Sequence, residues 1–129
     1  MGIFGSVFGN KGESAKEEKI IPWIPLTSVE QLDEIAEKSK TRTQLIFKHS
    51  TTCGISRMVL NMFTGSYSLS DEQDIYFLDL HAHRDVSNEV QYKFQVMHQS
   101  PQLLIIKNGE VTYHTSHGAI ADTNLLEYI

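Results

Sequence analysis

Residues 45–57 read LIFKHSTTCGISR, and the interpretation of the chain starts from this stretch. An apolar run typical of a buried strand ends at a polar turn, and the only cysteine, Cys53, follows. Apolar residues then recur at spacings of three, four and seven, at Ile55, Met58, Val59 and Met62. Those spacings mark one face of a helix. We therefore expect Cys53 in the first turn of a helix that begins at the end of a buried strand.

The start of a helix favours a reactive thiol. Unpaired backbone N–H groups and the positive end of the helix dipole gather there and stabilise an anion. A thiol in such a place tends to ionise, and the thiolate is the reactive form. The alternative is a buried, inert cysteine, because free cysteines are among the most buried residues. The local pattern leaves both interpretations open.

The composition excludes several classes of protein. A chain of 129 residues with 40% hydrophobic and 21% charged residues suits one globular domain. The net charge of −5, with no cluster of Lys and Arg, argues against nucleic-acid binding. A single cysteine cannot form an internal disulfide and favours a reducing compartment. No apolar run approaches the roughly 20 residues of a membrane helix. We expect a cytoplasmic protein without nucleic-acid or membrane partners.

The first residues of the chain differ from the rest. Residues 1–20 hold four of the eight glycines, followed by a stretch rich in Lys and Glu. This composition predicts a flexible N-terminal tail over residues 1–20 and one compact domain over residues 21–129.

Apolar patterns in the domain predict strands that alternate with helices. The five predicted strands cover residues 23–26, 44–48, 75–80, 102–107 and 110–114. Asn108-Gly109 indicates a tight hairpin between the last two, because both turn residues need positive φ. This order predicts an α/β fold, a three-layer sandwich with a central mixed sheet and helices on both faces.

Helices are predicted between the strands and at the end of the chain. Thr27 or Ser28 is expected to cap the first helix, with Glu30 or Gln31 completing a capping box. Ser87 is the expected cap of the third helix. Its buried stripe is predicted to consist of Val86, Val90, Phe94 and Met97. Residues 119–128 are predicted to form the final helix.

The order of elements, a cysteine at the start of the second helix and Pro101 before the fourth strand together resemble the thioredoxin fold. In that family the proline is cis and lies beside the cysteine. The resemblance therefore implies a cis Ser100–Pro101 bond, which is uncommon. It also implies that the backbone of Ser100 pairs with an extended substrate in the manner of a strand.

Four segments narrow the resemblance, and they lie at residues 23–26, 47–56, 98–102 and 116–117. Together they look like the YtxJ family, the monothiol bacilliredoxins of the bacillithiol system, over about residues 21–129. The family implies removal of bacillithiol from mixed disulfides on protein cysteines. Bacillithiol is then a thiol co-substrate, S-bacillithiolated proteins are the partners, and no bound cofactor or metal is expected.

The chemistry implied by the family centres on Cys53, the expected catalytic nucleophile. Ser56 stands where a second, resolving cysteine would lie, so a separate thiol must complete the cycle. The Ser56 hydroxyl either donates to the thiolate or satisfies the helix end. The residues expected to bind or activate substrate are Thr52, Gly54, Ser56, Arg57, Ser100 and Pro101.

Lys48, His49 and Arg57 are the basic residues nearest to Cys53 in the sequence. Lys48 and His49 alternate across a strand end, so at most one should face the site, and each, like Arg57, is expected to be a solvated surface residue. Structural roles are expected for His98 and His117. His81 and His83 are expected to be ordinary surface histidines, because two imidazoles alone are a weak metal signal.

Two other functions stay open. The tetrapeptide Cys-Gly-Ile-Ser at residues 53–56 resembles the Cys-Gly-Phe-Ser of monothiol glutaredoxins, which share an iron–sulfur cluster across a dimer. The glycine pair and aspartate expected downstream in that family are missing here. A binding module or stress adaptor that kept the fold and lost redox activity is the other alternative.

Overall fold

The computed structural model describes residues 21–67 and 72–129. The predicted tail, residues 1–20, lies outside the described residues, so that interpretation stays a prediction. The strands are β1 (Trp23–Pro25), β2 (Thr43–His49), β3 (Gln73–Asp79), β4 (Gln102–Lys107) and β5 (Glu110–Ser116). The α-helices of the described chain are α1 (Glu30–Lys38), α2 (Gly54–Ser66) and α3 (Arg84–Phe94).

The strands form one mixed sheet in the order β1-β3-β2-β4-β5. The strands β1, β3 and β2 are parallel, whereas β4 runs antiparallel to both β2 and β5. Residues 44–49 of the central strand β2 are all buried. Coverage of both faces explains the nearly continuous apolar run of this strand.

Helices cover both faces of the sheet. Leu32 of α1 and Val90 of α3 pack in one core cluster with Ile46 of β2. Val59 of α2 packs in a second cluster with Phe47, the next residue of β2. Neighbouring residues of a strand point to opposite faces. The predicted three-layer α/β sandwich is therefore confirmed.

Two predicted connections are also confirmed. The Ser100–Pro101 bond is cis, and the hairpin residues Asn108 and Gly109 have φ values of 55° and 81°. The backbone N–H of Asn108 donates to the Ser39 carbonyl at 2.8 Å, and that of Gly109 to Ser39 Oγ at 2.7 Å. The hairpin is thereby attached to the end of α1.

Of the four apolar residues that mark one face of α2, Val59 is buried and the other three are exposed. Ile55, Met58 and Met62 are 59%, 54% and 51% exposed, and we call these three residues the apolar stripe. The buried positions of α2 are instead Ser56, Val59 and Phe63. The helical period is as expected. The side of α2 that faces the core is shifted by one residue, because the hydrogen-bonded Ser56 takes a core position.

Helix caps were predicted less well than helices. Val29 occupies the N-cap position of α1, although Gln31 Oε1 accepts from the backbone N–H of Thr27 at 2.8 Å and of Ser28 at 3.0 Å, as in a capping box. His83 is the N-cap of α3, and Ser87 lies inside the helix and is buried.

Two further predictions were wrong: that Met97 belongs to the buried face of α3, and that residues 119–128 form a helix. Met97 lies beyond α3 and is 75% exposed. Residues 119–128 form no α-helix, and two 3-10 helices, His117–Ile120 and Leu125–Glu127, are found instead. Asn124 interrupts the pattern because its side chain accepts from the Leu126 N–H and starts a new turn.

Candidate active site

Cys53 lies between the central strand and α2. It occupies the N-cap position of α2, with φ −107° and ψ 121°, rather than the first turn that the sequence predicted. The residue is partly exposed and forms no disulfide. Its backbone N–H donates to the Ser50 carbonyl at 3.3 Å, and its own carbonyl accepts from the Arg57 N–H at 3.1 Å. Both contacts hold the turn and leave the thiol accessible.

Ser56 connects α2 to the end of β2. Its fully buried Oγ accepts from the Ser50 N–H at 3.1 Å and lies 2.9 Å from His49 Nδ1. Burial lowers the pKa of His49, an effect that Asp79 partly opposes and Arg57 assists. A neutral His49 with its proton on Nε2 accepts a hydrogen bond at Nδ1 from the Ser56 hydroxyl. This geometry favours the alternative in which Ser56 satisfies the backbone near the helix start.

A histidine from the neighbouring strand holds the same turn from the other side. His81 Nε2 lies 2.8 Å from Ser50 Oγ and 3.1 Å from Thr52 Oγ1. Asp79, at the end of β3, accepts from the His81 N–H at 3.1 Å and so fixes the histidine. The sequence interpretation missed this contact. The available signal was that β2 and β3, when parallel, end at the same edge of the sheet.

Arg57 places a cation beside the turn. Its guanidinium donates to the Thr51 carbonyl at 3.1 Å, and the side chain is exposed. None of the ion pairs among the described residues involves it. The expected solvent exposure of Arg57 is confirmed, and the remaining N–H groups of the guanidinium are available to an anionic ligand.

Lys48 and His49, by contrast, are not solvated surface residues. Both are buried, at 0% and 5% exposure. They point to opposite faces as the alternation requires: His49 contacts Ser56 of α2, whereas Lys48 Nζ lies 3.4 Å from the Ser87 carbonyl of α3. The expectation of a solvated role was wrong because both sheet faces are covered at this edge.

The cis-proline loop, residues 97–101, approaches the same edge. Gln102 pairs with Lys48 on the strand that leads to Cys53. The Pro101 carbonyl accepts from the His117 N–H at 3.0 Å. No hydrogen bond within the described chain uses the backbone N–H or carbonyl of Ser100, and its Oγ is buried without a partner. The Ser100 backbone can therefore accept an extended ligand.

The residue after Cys53 leaves space at the site. Gly54 is exposed, and a Cβ built on it would meet nothing within 4 Å. The geometry thus gathers Thr52, Cys53, Gly54, Ser56 and Arg57 around one turn. Strand register brings Ser100 and Pro101 to the same sheet edge.

Comparison with known proteins identifies the family. The family model described as "Monothiol bacilliredoxin BrxC" matches residues 24–125. The chain belongs to the monothiol bacilliredoxin family. This bacilliredoxin is a thiol–disulfide oxidoreductase, and Cys53 is the only thiol it has for that chemistry.

Solved structures support the same assignment. A structure described as an oxidoreductase with a thioredoxin fold is 32% identical, with a TM-score of 0.65, and the match covers 75% of this chain and 84% of that one. Thioredoxin from Schistosoma mansoni is 18% identical, with a TM-score of 0.63 and coverage of 83% and 95%. Thioredoxin from Trypanosoma brucei brucei is 15% identical, with a TM-score of 0.62 and coverage of 78% and 82%. The two thioredoxins show the fold alone.

Within residues 21–67 and 72–129, no helix has the length and apolar character needed to cross a bilayer.

Proposed function

We propose that the protein removes bacillithiol from S-bacillithiolated proteins through Cys53. The observation that carries this proposal is the pairing of one accessible cysteine at the start of α2 with an unpaired Ser100 backbone at the same sheet edge. The first group supplies a nucleophile, and the second supplies strand-like contacts to an extended client. A cytoplasmic site of action fits a protein that depends on a reduced thiol.

The proposed reaction proceeds in two exchanges. The Cys53 thiolate attacks the bacillithiol sulfur of the mixed disulfide, the S–S bond breaks, and the client cysteine leaves as a thiolate. Cys53 then carries bacillithiol. A second bacillithiol thiolate attacks the sulfur of the bound bacillithiol, which releases bacillithiol disulfide and restores the Cys53 thiolate. Each exchange forms one S–S bond and breaks one, so no further oxidant is needed.

The other site residues have distinct proposed roles. Thr52 and Gly54 flank the nucleophile, and Gly54 leaves room for the substrate disulfide. Arg57 offers a cation to an anionic group of the small thiol. Ser56 keeps the turn in place through His49 and Ser50.

Ser100 and Pro101 complete the proposed site on the client side. The Ser100 backbone pairs with the client chain, and Pro101 ends the strand pairing at this point because it has no N–H group. Pairing through the backbone tolerates many client sequences, since main-chain groups are the same in every protein.

The test is a release assay on a model protein that carries one bacillithiol mixed disulfide. Free bacillithiol serves as the second thiol, and mass spectrometry follows both the client and the bacilliredoxin. The parent should release bacillithiol and gain its mass on Cys53, whereas Cys53→Ser should release none above the uncatalysed rate. Ser66→Ala, a change at an exposed serine of α2, should behave like the parent.

Two results would count against the proposal. If Cys53→Ser releases bacillithiol as fast as the parent, Cys53 is not the nucleophile, and the alternative of a redox-inactive adaptor is favoured. If the parent releases glutathione from the same client protein but not bacillithiol, the chemistry is correct and the proposed small thiol is wrong.

A further inference from the structure

Lys48 is a buried cation without a carboxylate partner. Its side chain is fully buried, and none of the ion pairs among the described residues involves it. Desolvation by burial lowers the pKa of Lys48 to about 8. Burying a charge without an opposite charge lowers the stability of a fold. Lys48 therefore has a cost in stability that packing alone does not explain.

The contacts of Lys48 lead to the cis-proline loop. Lys48 Nζ lies 3.2 Å from His98 Nδ1 and 3.4 Å from the Ser87 carbonyl. Ser87 Oγ also lies 3.3 Å from His98 Nδ1. Burial lowers the pKa of His98, and the charges of Lys48 and Arg84 lower it further. A neutral His98 can accept a hydrogen bond from Lys48 at Nδ1, and this contact holds the imidazole against α3.

His98 belongs to a loop that is fixed on both sides of Ser100. The His98 N–H donates to Gln91 Oε1 at 2.6 Å. Gln102 donates through Nε2 to the Met97 carbonyl at 3.0 Å and accepts from the Gln99 N–H at 3.4 Å. Within this loop, Ser100 is the residue whose backbone N–H and carbonyl are both unpaired. The loop is therefore built to present Ser100.

The contact between Lys48 and His98 also joins two segments that carry the family resemblance. Lys48 lies in residues 47–56, and His98 lies in residues 98–102. The first segment supplies the nucleophile, and the second supplies the loop that faces the client. Lys48 touches the second segment twice, through His98 and through strand pairing with Gln102.

We propose that Lys48, acting through His98, is a positioning residue for the loop that presents Ser100 to a disulfide substrate. This rests on the proposed function, because it takes the Ser100 backbone as a client contact. Lys48 points away from the face of β2 on which His49 and Ser56 hold the Cys53 turn. Lys48 therefore sets client affinity and leaves the intrinsic reactivity of Cys53 unchanged.

The first measurement compares Lys48→Met with the parent on bacillithiol and glutathione mixed disulfides of the same client. Loss of one hydrogen bond that orders the loop should raise KM roughly tenfold on both substrates, because the Ser100 contact is to the protein. The kcat and the rate of Cys53 alkylation by iodoacetamide should not change. Lys107→Met, at a half-exposed lysine of β4, should keep the parent KM.

Substitutions of His98 test whether the lysine acts through it. His98→Leu removes the acceptor and should raise KM as Lys48→Met does, and the double variant should be no worse than either single one. His98→Asn places a carbonyl oxygen near the Nδ1 position and should recover most of the parent affinity. Additive effects of the two single changes would contradict a shared path.

The pH dependence separates positioning from a general loss of packing. The lysine gives up its charge as pH rises through about 8, and a neutral amine still donates to His98 but more weakly, so the ratio of the KM of Lys48→Met to that of the parent should fall above this pH. Other charged or titratable groups nearby are Arg84, which acts on His98, and His49 with Asp79 on the opposite face. They are present in both proteins, so the ratio of the two KM values isolates Lys48.

Hydrogen exchange gives a readout that does not depend on turnover. The backbone amides of His98 and Gln99, which donate to Gln91 and Gln102, should exchange faster in Lys48→Met than in the parent, while those of β2 should not. Unchanged exchange in this loop, or an unchanged KM in an active protein, overturns the positioning role. If the parent protein is inactive on both mixed disulfides, the proposed function is overturned instead. The hydrogen-exchange measurement still decides whether Lys48 orders the loop.

Discussion

The charged side chains at the two ends of the central strand β2 have different kinds of partners. Near its start, the Asp74 carboxylate accepts from Arg42 at 3.1 Å and from Gln44 at 2.8 Å. Near its end, Lys48 is buried with a neutral histidine and a carbonyl as partners. Compensated charge indicates a structural role, whereas uncompensated charge clusters at functional sites. The end with the uncompensated charge is also the end that leads to Cys53.

The largest expected effect on stability is at the uncompensated end. Lys48→Met should raise the free energy of unfolding at pH 7 by up to about 3 kcal/mol, less whatever its lost hydrogen bonds contributed. The unfolded chain keeps the Lys48 proton up to about pH 10.5 and the folded protein only to about 8. The stability of the parent should therefore rise with pH across that window, and that of the variant should not.

Urea unfolding at several pH values measures this effect. The same series on Lys107→Met controls for the loss of a lysine. A parent stability that stays level between pH 8 and 10.5 would show that the buried amine is not destabilising.

The next effect concerns the neutral polar group at the same end. Ser56→Ala leaves the Ser50 N–H and His49 Nδ1 without their partner, so it should cost about 2 kcal/mol of unfolding free energy. The alkylation rate of Cys53 should change little, because the hydroxyl faces His49. Thermal unfolding and iodoacetamide kinetics provide the two readouts. A large fall in alkylation rate with little loss of stability would restore the hydroxyl as a donor to the thiolate.

A smaller effect is expected at the compensated end. Asp74→Ala removes the shared acceptor of Arg42 and Gln44 and should cost about 1 kcal/mol, since Arg42 is 40% exposed and solvent screens the pair. Burial alone would raise the pKa of Asp74, but hydrogen bonds from Arg42 and Gln44 lower it overall. Its contribution is therefore present above the unfolded pKa and lost as pH falls through the folded pKa.

The Asp74 prediction is checked by comparing parent and variant in acid. The difference in their unfolding free energies should vanish at low pH and be complete at neutral pH. Glu37→Ala, at the exposed pair with Lys40, should have almost no effect. Reduced exchange activity in Asp74→Ala would contradict the purely structural role of this end.

The smallest effect on stability is expected at Gly54. Gly54→Ala adds a methyl group in open space at the start of α2 and should change stability by only a few tenths of a kcal/mol. Activity should fall, because the added methyl group occupies room left for the substrate disulfide. Gly109→Ala is the matched control: its φ of 81° makes alanine cost about 1 kcal/mol, while exchange kinetics stay unchanged. Full activity of Gly54→Ala would mean that the substrate does not pass there.

Patterns that depend on neighbouring residues in the chain were predictable. The strand of residues 102–107, the Asn108-Gly109 hairpin and the helix after Cys53 were each expected, because their apolar periods and turn residues are local signals. The resemblance to a known family added the cis Ser100–Pro101 bond, which no local pattern reveals.

What was missed depends on contacts between distant segments. A helix period gives the angle between apolar residues but not which of two adjacent stripes faces the core. Ser56 is buried because His49 and Ser50 satisfy it, and Met58 is exposed as a result. Lys48 is buried because α3 covers its face of the sheet. His81 reaches the cysteine turn only through the parallel pairing of β2 and β3.

The apolar stripe of α2 has a consequence for the handling of this protein. The thioethers of Met58 and Met62 face solvent on α2, the helix that begins after Cys53, so peroxides can reach them. Conversion to sulfoxides makes this surface polar without altering Cys53, and thiol reductants do not reverse it. In protein stored in air, methionine oxidation should therefore be measured before a loss of activity toward client proteins is attributed to Cys53.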